Sequence, residues 1–328
     1  MIHMNLLEVK NLHTHFHTDR GLVPALNGVS FSIKKGEVLG IVGESGCGKS
    51  VTSLSILQLL GNKGKIEKGS IQFKGQELTT FTKKQMRKVR GDEISMIFQE
   101  PLTSLNPLIR VGKQIAETIL LHRENYSKNQ AKEHAIKMMK MVGIPQAEEK
   151  YSQYPHQLSG GMRQRIMIAI ALACNPDLLI ADEPTTALDV TIQEQILGLM
   201  KKIAHETGTS IIFITHDLGV VAEMVDRVIV MYSGQVVEEN DVVSFFEAPK
   251  HPYSQGLINS TPAIDQGQKL EAIRGNVPAP ANKPNGCPFH PRCPMASDIC
   301  KTTVPKNTYF GKQEMVNCWL YDKEAKTS

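Results

Sequence analysis

The sequence predicts an α/β fold with a largely parallel sheet. Three observations carry that expectation. Apolar runs of strand length alternate with helix-compatible segments through most of the chain. One such run, Val38-Leu39-Gly40-Ile41-Val42, leads into Gly43-Glu44-Ser45-Gly46-Cys47-Gly48-Lys49-Ser50, which fits the G-x-x-x-x-G-K-[ST] phosphate-binding pattern. Another, Leu178-Leu179-Ile180-Ala181, ends in the carboxylates Asp182 and Glu183. In open sheets of this class, ligands bind beyond the carboxyl ends of the strands. Gln99, Asp182, Glu183 and His216 all follow such ends.

The elements can be taken in order. Residues 6–10 and 28–33 alternate or run apolar, suggesting an antiparallel edge region. The strand before the P-loop is followed by a helical pattern from Val51 to Leu60. Residues 70–78 read as a strand and 82–91 as a charged helix. Ile94–Phe98 is a strand, and residues 110–141 read as helices with a polar break near Ser127. Met162–Cys174 is a strong helix and Ile192–Thr207 an amphipathic one. Ser210–Ile214 is a buried strand ending at Thr215-His216, and Arg227–Tyr232 with Gly234–Glu238 suggests a hairpin. After about residue 245 nine prolines fall in one stretch and long periodic elements stop, which predicts a small irregular extension.

Bulk properties narrow the classes. A length of 328 residues exceeds what one compact core usually holds, so two domains are expected. Hydrophobic residues make up 41% and charged ones 21%, an ordinary globular composition. A formal charge of +4, without a basic stripe and interleaved aromatics, argues against nucleic-acid binding. The N-terminus lacks a basic segment followed by an apolar one, so no signal peptide is expected. The run Ile166–Cys174 is too short to span a bilayer. The chain is therefore expected in the cytoplasm, with any membrane role supplied through a partner. Six cysteines in that compartment argue against a disulfide framework.

The chemistry of the motifs is specific. Gly43, Gly46 and Gly48 let the loop backbone wrap phosphates, with Ser45, Cys47 and Val51 beside them, at a helix N-terminus whose dipole favours an anion. Lys49 reaches the β/γ-phosphates and Ser50 ligates Mg²⁺. Asp182 can hold Mg²⁺, and Glu183 can polarise an attacking water. Leu158-Ser159-Gly160-Gly161 opens a second helix, with donors for another phosphate contact. One chain needs no second helix end on the same γ-phosphate, so this one suits a nucleotide bound by another subunit.

The ordered set of P-loop, Gln99, Leu158-Ser-Gly-Gly, Asp182-Glu183, Ala187-Leu188-Asp189 and His216 resembles the nucleotide-binding domain of ATP-binding cassette (ABC) transporters. That resemblance implies a RecA-like parallel core, an antiparallel β region and a helical subdomain near 100–175. Together these make an ATPase domain over 5–245, followed by an extension over 246–328. It also implies roles. Phe16 stacks on adenine. Gln99 senses Mg²⁺ and the attacking water. Ser159, Gly160 and Gly161 contact ATP across a dimer, and Asp189 couples the two sites. Glu183 is the general base, and His216 holds the γ-phosphate. Met162 departs from the more usual Gln after Ser-Gly-Gly.

Gly43-Glu44-Ser45, Gln99 to Pro107, Leu158 to Arg165, His251-Pro252-Tyr253 and Val277-Pro278 with Gly286-Cys287 look like the peptide/nickel importer branch. The implied function is to energise import of di- or oligopeptides from the cytoplasmic face of the membrane. The implied partners are a paralogous ATP-binding subunit or a second copy, two integral membrane permease subunits and an extracytoplasmic solute-binding protein. Nickel or another small solute is the alternative cargo. A soluble ABC ATPase of translation or DNA repair fits less well, because there is one P-loop, one signature and no extended heptad pattern.

Cys287, Cys293, Cys300 and Cys318 cluster near the C-terminus. Four thiolates suit zinc or an iron–sulfur cluster. C-x-x-C pairs are missing, so a zinc ribbon matches poorly. Resemblance to dipeptide-type importer ATPases implies a structural [4Fe–4S] cluster, with zinc as the alternative. Such a cluster is expected to supply the core that the Pro-rich extension lacks. His290 is a spare ligand candidate, better read as an exposed loop histidine.

Overall fold

A computed structural model describes residues 5–19, 21–99, 104–186, 189–261, 272–311 and 313–322. The chain divides into two units. One comprises Met1–Ile33, Val38–Thr79 and Ile214–Ser328, the other Lys34–Glu37 and Thr80–Phe213.

The first unit opens with β1 (Leu7–Thr18), β2 (Gly21–Ile33) and β3 (Val38–Val42), then the helix Lys49–Ile56, β4 (Gly64–Phe73) and β5 (Gln76–Glu77). β1 pairs antiparallel with both β2 and β4, in the order β2-β1-β4-β5. Leu7, Val9, Leu12 and Thr14 point to the buried face. Both β1 and β2 are longer than their apolar patterns suggested. Register shifts between Val9 and Leu12 and between Leu12 and His13 break the two-residue period, and His13, His15 and His17 continue the strand with polar side chains. The expected antiparallel region is therefore present and reaches further.

In the second unit β6 (Ile94–Ile97) and β7 (Leu178–Asp182) are parallel, with the order β8-β7-β6 where β8 is Ser210–Ile214. β7 and β8 are buried along their whole length, as expected for strands covered on both faces. The charged helix Lys83–Val89 begins at a capping box, Thr82 with Gln85. The break near Ser127 is a second capping box, where Ser127 and Gln130 satisfy each other's backbone donors ahead of Lys128–Met141. That helix packs with Val111–His122 and Gly160–Leu172, giving the expected helical region. Asp189 caps Val190–Thr207, and Gly208 closes it in the left-handed conformation.

The first unit resumes with the helix Leu218–Met224, then β9 (Arg227–Tyr232) and β10 (Gln235–Asp241). β9 runs parallel to β3 and antiparallel to β10. The Leu218–Met224 helix was not legible in sequence, since its seven residues are too few to set a period.

The extension is more ordered than expected. A hairpin of β11 (Asn307–Gly311) and β12 (Glu314–Asn317) adds to β10, giving the order β11-β12-β10-β9-β3. β11 carries no buried residue, so its apolar pattern is absent. The extension also builds an aromatic core, correcting the expectation that side chains could not supply one. Tyr232, Tyr253 and Phe289 are buried, with ring centres 4.7 Å, 5.2 Å and 5.3 Å apart.

Close packing within the second unit fixes the start of the Val111–His122 helix. Gly112 donates its N–H to Tyr151 O at 3.1 Å, and a Cβ at Gly112 would fall 2.1 Å from Tyr151 Cδ2. Gly112→Ala should destabilise the protein by about 1–3 kcal/mol, with Tyr151 forced off its rotamer. Chemical denaturation of the full chain reads this as a lowered midpoint at unchanged slope.

Candidate functional site

In the first unit β3 stops at Val42 and the loop Gly43–Gly48 turns into the helix Lys49–Ile56. Gly43 has φ of 148°, and a Cβ there would lie 2.3 Å from Met231 O and 2.8 Å from Cys47 Sγ. Only glycine fits this position. Gly48 is the N-cap in a left-handed conformation, and no side chain caps the helix. Its first N–H groups are therefore available to an anion. Lys49 folds back over the loop, donating to Gly43 O at 2.7 Å and Glu44 O at 3.2 Å. Those bonds hold the ammonium at the mouth of the loop. Ser45 and Gly46 are exposed, Ser50 and Val51 half-buried. Cys47 is fully buried, and burial pushes its thiol pKa up, keeping it protonated.

The helix is pinned to β1 through Thr14 Oγ1 and Ser55 Oγ, 2.9 Å apart. Two residues along β1, the half-buried Phe16 pairs with Val23 and Gly64 and lays its ring edge against Gly64. His216 lies in the same unit, exposed, two residues beyond β8.

The second unit carries the carboxylates. Asp182 is the last residue of β7 and is 4% exposed. Glu183 follows with φ of 48°, a conformation that non-glycine residues adopt at a cost of about 1–3 kcal/mol. Its Oε2 accepts from Gln99 Nε2 at 2.9 Å and from Thr186 Oγ1 at 3.0 Å. The buried Gln164 donates to Pro184 O and supports the turn. Gln99 and Glu183, 84 residues apart in sequence, are thus brought into direct contact. Thr186 and Gln164 were not singled out in sequence. The only available signal was a hydroxyl three residues past the carboxylate pair.

Ser159 caps the helix Gly160–Leu172, its Oγ accepting from Met162 N at 3.3 Å. Gly161 packs against Ile192, whose N–H is held by Asp189 Oδ1 at 3.0 Å. Ser159, Gly160 and Asp189 are exposed. Of the sequence-predicted motifs, Glu100, Pro101, Leu102, Thr103, Ala187 and Leu188 lie outside the described residues.

The four clustered cysteines line a single cavity of about 130 Å³, with His251, Phe289 and His290 among its walls. All four are free thiols. Burial raises the thiol pKa of Cys293, of Cys287 to about 11 and of Cys318 to about 12. The donor set is the right kind for soft metal chemistry. Yet among the described residues no group of three or more His, Cys, Asp or Glu is arranged to hold a metal ion. Neither the expected iron–sulfur cluster nor the zinc alternative therefore finds a converged ligand group here, since both need the four sulfurs turned to one centre. His290 is half-buried rather than exposed, with Nδ1 donating to Cys287 O at 3.0 Å.

Comparison with known proteins places these features. Residues 26–186 match the family model described as ABC transporter, and residues 237–300 match oligopeptide/dipeptide transporter, C-terminal region. The chain is 54% identical to the oligopeptide transport ATP-binding protein AppD of Bacillus subtilis, over 98% of each chain. It is 51% identical to the dipeptide transport ATP-binding protein DppD of the same organism, over 98% of this chain and 96% of that one. Among solved structures, the ATP-binding cassette MJ0796, in a dimeric post-hydrolysis state bound to ADP and Pi, superposes with a TM-score of 0.65 at 30% identity. That match covers 72% of this chain and 98% of MJ0796. A cassette fold over most of the chain, a P-loop and signature helix in sequence order, and near-complete alignment through the extension lead to one conclusion: the chain belongs to the ABC transporter ATP-binding proteins, in the branch that carries the oligopeptide/dipeptide transporter C-terminal region.

Proposed function

We propose that the protein binds and hydrolyses ATP to energise import of di- or oligopeptides. One observation carries the choice of cargo. The similarity to a protein named for oligopeptide transport runs through the extension as well as the cassette, over 98% of both chains. A family model described by oligopeptide/dipeptide transport covers residues 237–300, which supports peptide over nickel.

The residues take the following parts. The loop from Gly43 to Gly48 and the helix donors at Ser50 and Val51 hold the phosphates, with Lys49 leaving its carbonyl partners for the β/γ-oxygens. Ser50, Asp182 and Gln99 would hold Mg²⁺, which would offset the phosphate charge. Phe16 stacks on adenine. Glu183 takes the proton from the attacking water, whose oxygen bonds to the γ-phosphorus as the β–γ bridging oxygen leaves with ADP. The Gln99 and Thr186 bonds orient that carboxylate, and His216 holds the γ-phosphate. Ser159, Gly160 and Gly161 reach a nucleotide on a second ATP-binding subunit, a paralogue or another copy, and Asp189 couples the sites. The dimeric state of MJ0796 supports this arrangement.

Closure of the pair moves two permease subunits near Gln99, while an extracytoplasmic binding protein delivers the peptide. Among the described residues no helix is long and apolar enough to cross a membrane, which suits a subunit peripheral to the cytoplasmic face. Cys287, Cys293, Cys300 and Cys318 would hold a [4Fe–4S] cluster once their sulfurs converge; the support is that all four thiols border one cavity.

Uptake of labelled di- and oligopeptides, with nickel as control, tests the reading in cells carrying native protein or Glu183→Gln, redundant importers deleted. Loss of peptide uptake is expected; loss of nickel uptake alone would replace the cargo, and loss of neither would remove it. Purified Glu183→Gln should bind ATP but turn over about a hundredfold more slowly or worse. A normal rate excludes Glu183 as the base.

Protein purified without oxygen should contain about four irons and four acid-labile sulfides per chain, both lost on replacing Cys293 with Ser. Folded protein free of iron would overturn the cluster, and zinc in its place would restore the alternative.

A further inference from the structure

The extension reaches back and grips the P-loop. Arg292 holds the Glu44 carboxylate with two bonds, Nη1 to Oε2 at 2.6 Å and Nη2 to Oε1 at 2.9 Å. Its Nε donates to Arg274 O at 2.9 Å, and Nη1 lies 3.4 Å from the Tyr232 hydroxyl. The guanidinium sits 5.8 Å and 5.9 Å from the ring centres of Tyr232 and Phe289. Its side chain is 4% exposed, that of Glu44 30%. From the same aromatic core the Tyr253 hydroxyl accepts the Glu44 backbone N–H at 2.8 Å. Glu44 is thus held at both its side chain and its backbone by residues more than 200 positions away. All of these groups belong to one unit.

The grip falls where it matters for phosphate. The carbonyls of Gly43 and Glu44 are the two that hold the Lys49 ammonium. Fixing Glu44 therefore fixes the lysine's resting place and the path of the loop. Arg292 also immediately precedes Cys293, one of the thiols around the cavity. The fork geometry and the aromatic setting suit arginine and no other residue.

We propose that Arg292 is a positioning residue for nucleotide binding, linking the four-cysteine segment to the P-loop through Glu44. This rests on the P-loop being the ATP site of the function proposed above. With the pair intact, the loop is ordered before ATP arrives. Without it, binding must order the loop and affinity falls. The carboxylate that accepts the water proton belongs to the other unit, so turnover at saturating ATP stays near native. A purely structural clamp behaves differently: its loss loosens the extension and leaves ATP affinity alone.

The test measures Mg²⁺–ATP binding by calorimetry, with steady-state KM and kcat, on the full chain. Arg292→Gln should raise Kd and KM about five- to tenfold, with kcat within about twofold. Arg292→Lys should recover part of the loss, since ammonium replaces a fork with a point charge. Glu44→Gln should match Arg292→Gln, and the double variant should be no worse than either single one. If both single variants bind ATP within twofold of native, the coupling is wrong. Should Arg292→Gln fail to fold, Glu44→Gln decides, because it changes no residue of the extension and keeps an acceptor for the guanidinium. Lys49→Ala separates the two levels. If native protein fails to bind ATP, or Lys49→Ala binds it as tightly, the proposed function falls and the coupling with it. If Lys49→Ala loses binding while the Arg292 and Glu44 variants keep it, only the coupling falls.

Discussion

The geometry of the first unit depends on the close approach of the P-loop to the end of β9. β3 and β9 run side by side in parallel, and their continuation brings Met231 O against Gly43. One turn further, Gly234 donates its N–H to Cys47 O at 2.8 Å and accepts from Asn27 N at 2.8 Å. The loop is thereby tied through a single residue to both the parallel strand and the antiparallel β2. A phosphate cradle built of backbone N–H groups has no side chains to hold its shape. Its shape must come from outside, and these contacts supply it. Cys47 fits the same scheme, since its thiol fills space beneath the loop and its high pKa keeps it uncharged there.

The second unit solves a different problem. The proposed general base must be near water yet fixed in direction. Glu183 follows a fully buried strand and immediately enters a left-handed backbone conformation, which turns its side chain away from the continuing strand line. That conformation persists because the surroundings determine it: Gln164 secures Pro184, while Gln99 and Thr186 secure the carboxylate. The backbone outlier and the apolar run before it thus fall on the same residue, the base proposed above.

Much of this was legible in sequence because local signals sufficed. Val38–Val42 and Leu178–Ala181 are apolar runs bounded by chemistry-bearing residues, and both are strands. The polar break at Ser127 is a helix cap because Gln130 completes the box. Where the period was interrupted, reading failed. The bulges and histidines of β1 hid half of that strand, and β11 has no buried face to reveal it. The P-loop helix ends at Ile56, short of the expected Leu60, because Gln58 turns to positive φ. At the site, Lys49 and its loop follow from the motif. The resemblance gave Gln99 and Glu183 separate roles and not the bond between them, and the Arg292–Glu44 pair, 248 residues apart, had no sequence signal at all.

The extension shows how two kinds of core can share one small segment. Its apolar content after residue 245 is modest, yet Tyr253 and Phe289 bury fully against Tyr232 of β9. That packing anchors the segment to the cassette beside the pairing of β12 with β10. The cysteines lie on the other side of Phe289, around a cavity that the aromatic cluster leaves unfilled. A group bound there is therefore not needed to dock the extension. It would act on how firmly the stretch from Cys287 to Cys293 is held, and Arg292 lies within that stretch. The aromatic core fixes where the extension sits, and from that segment Arg292, next to Cys293, reaches the Glu44 carboxylate with both terminal nitrogens.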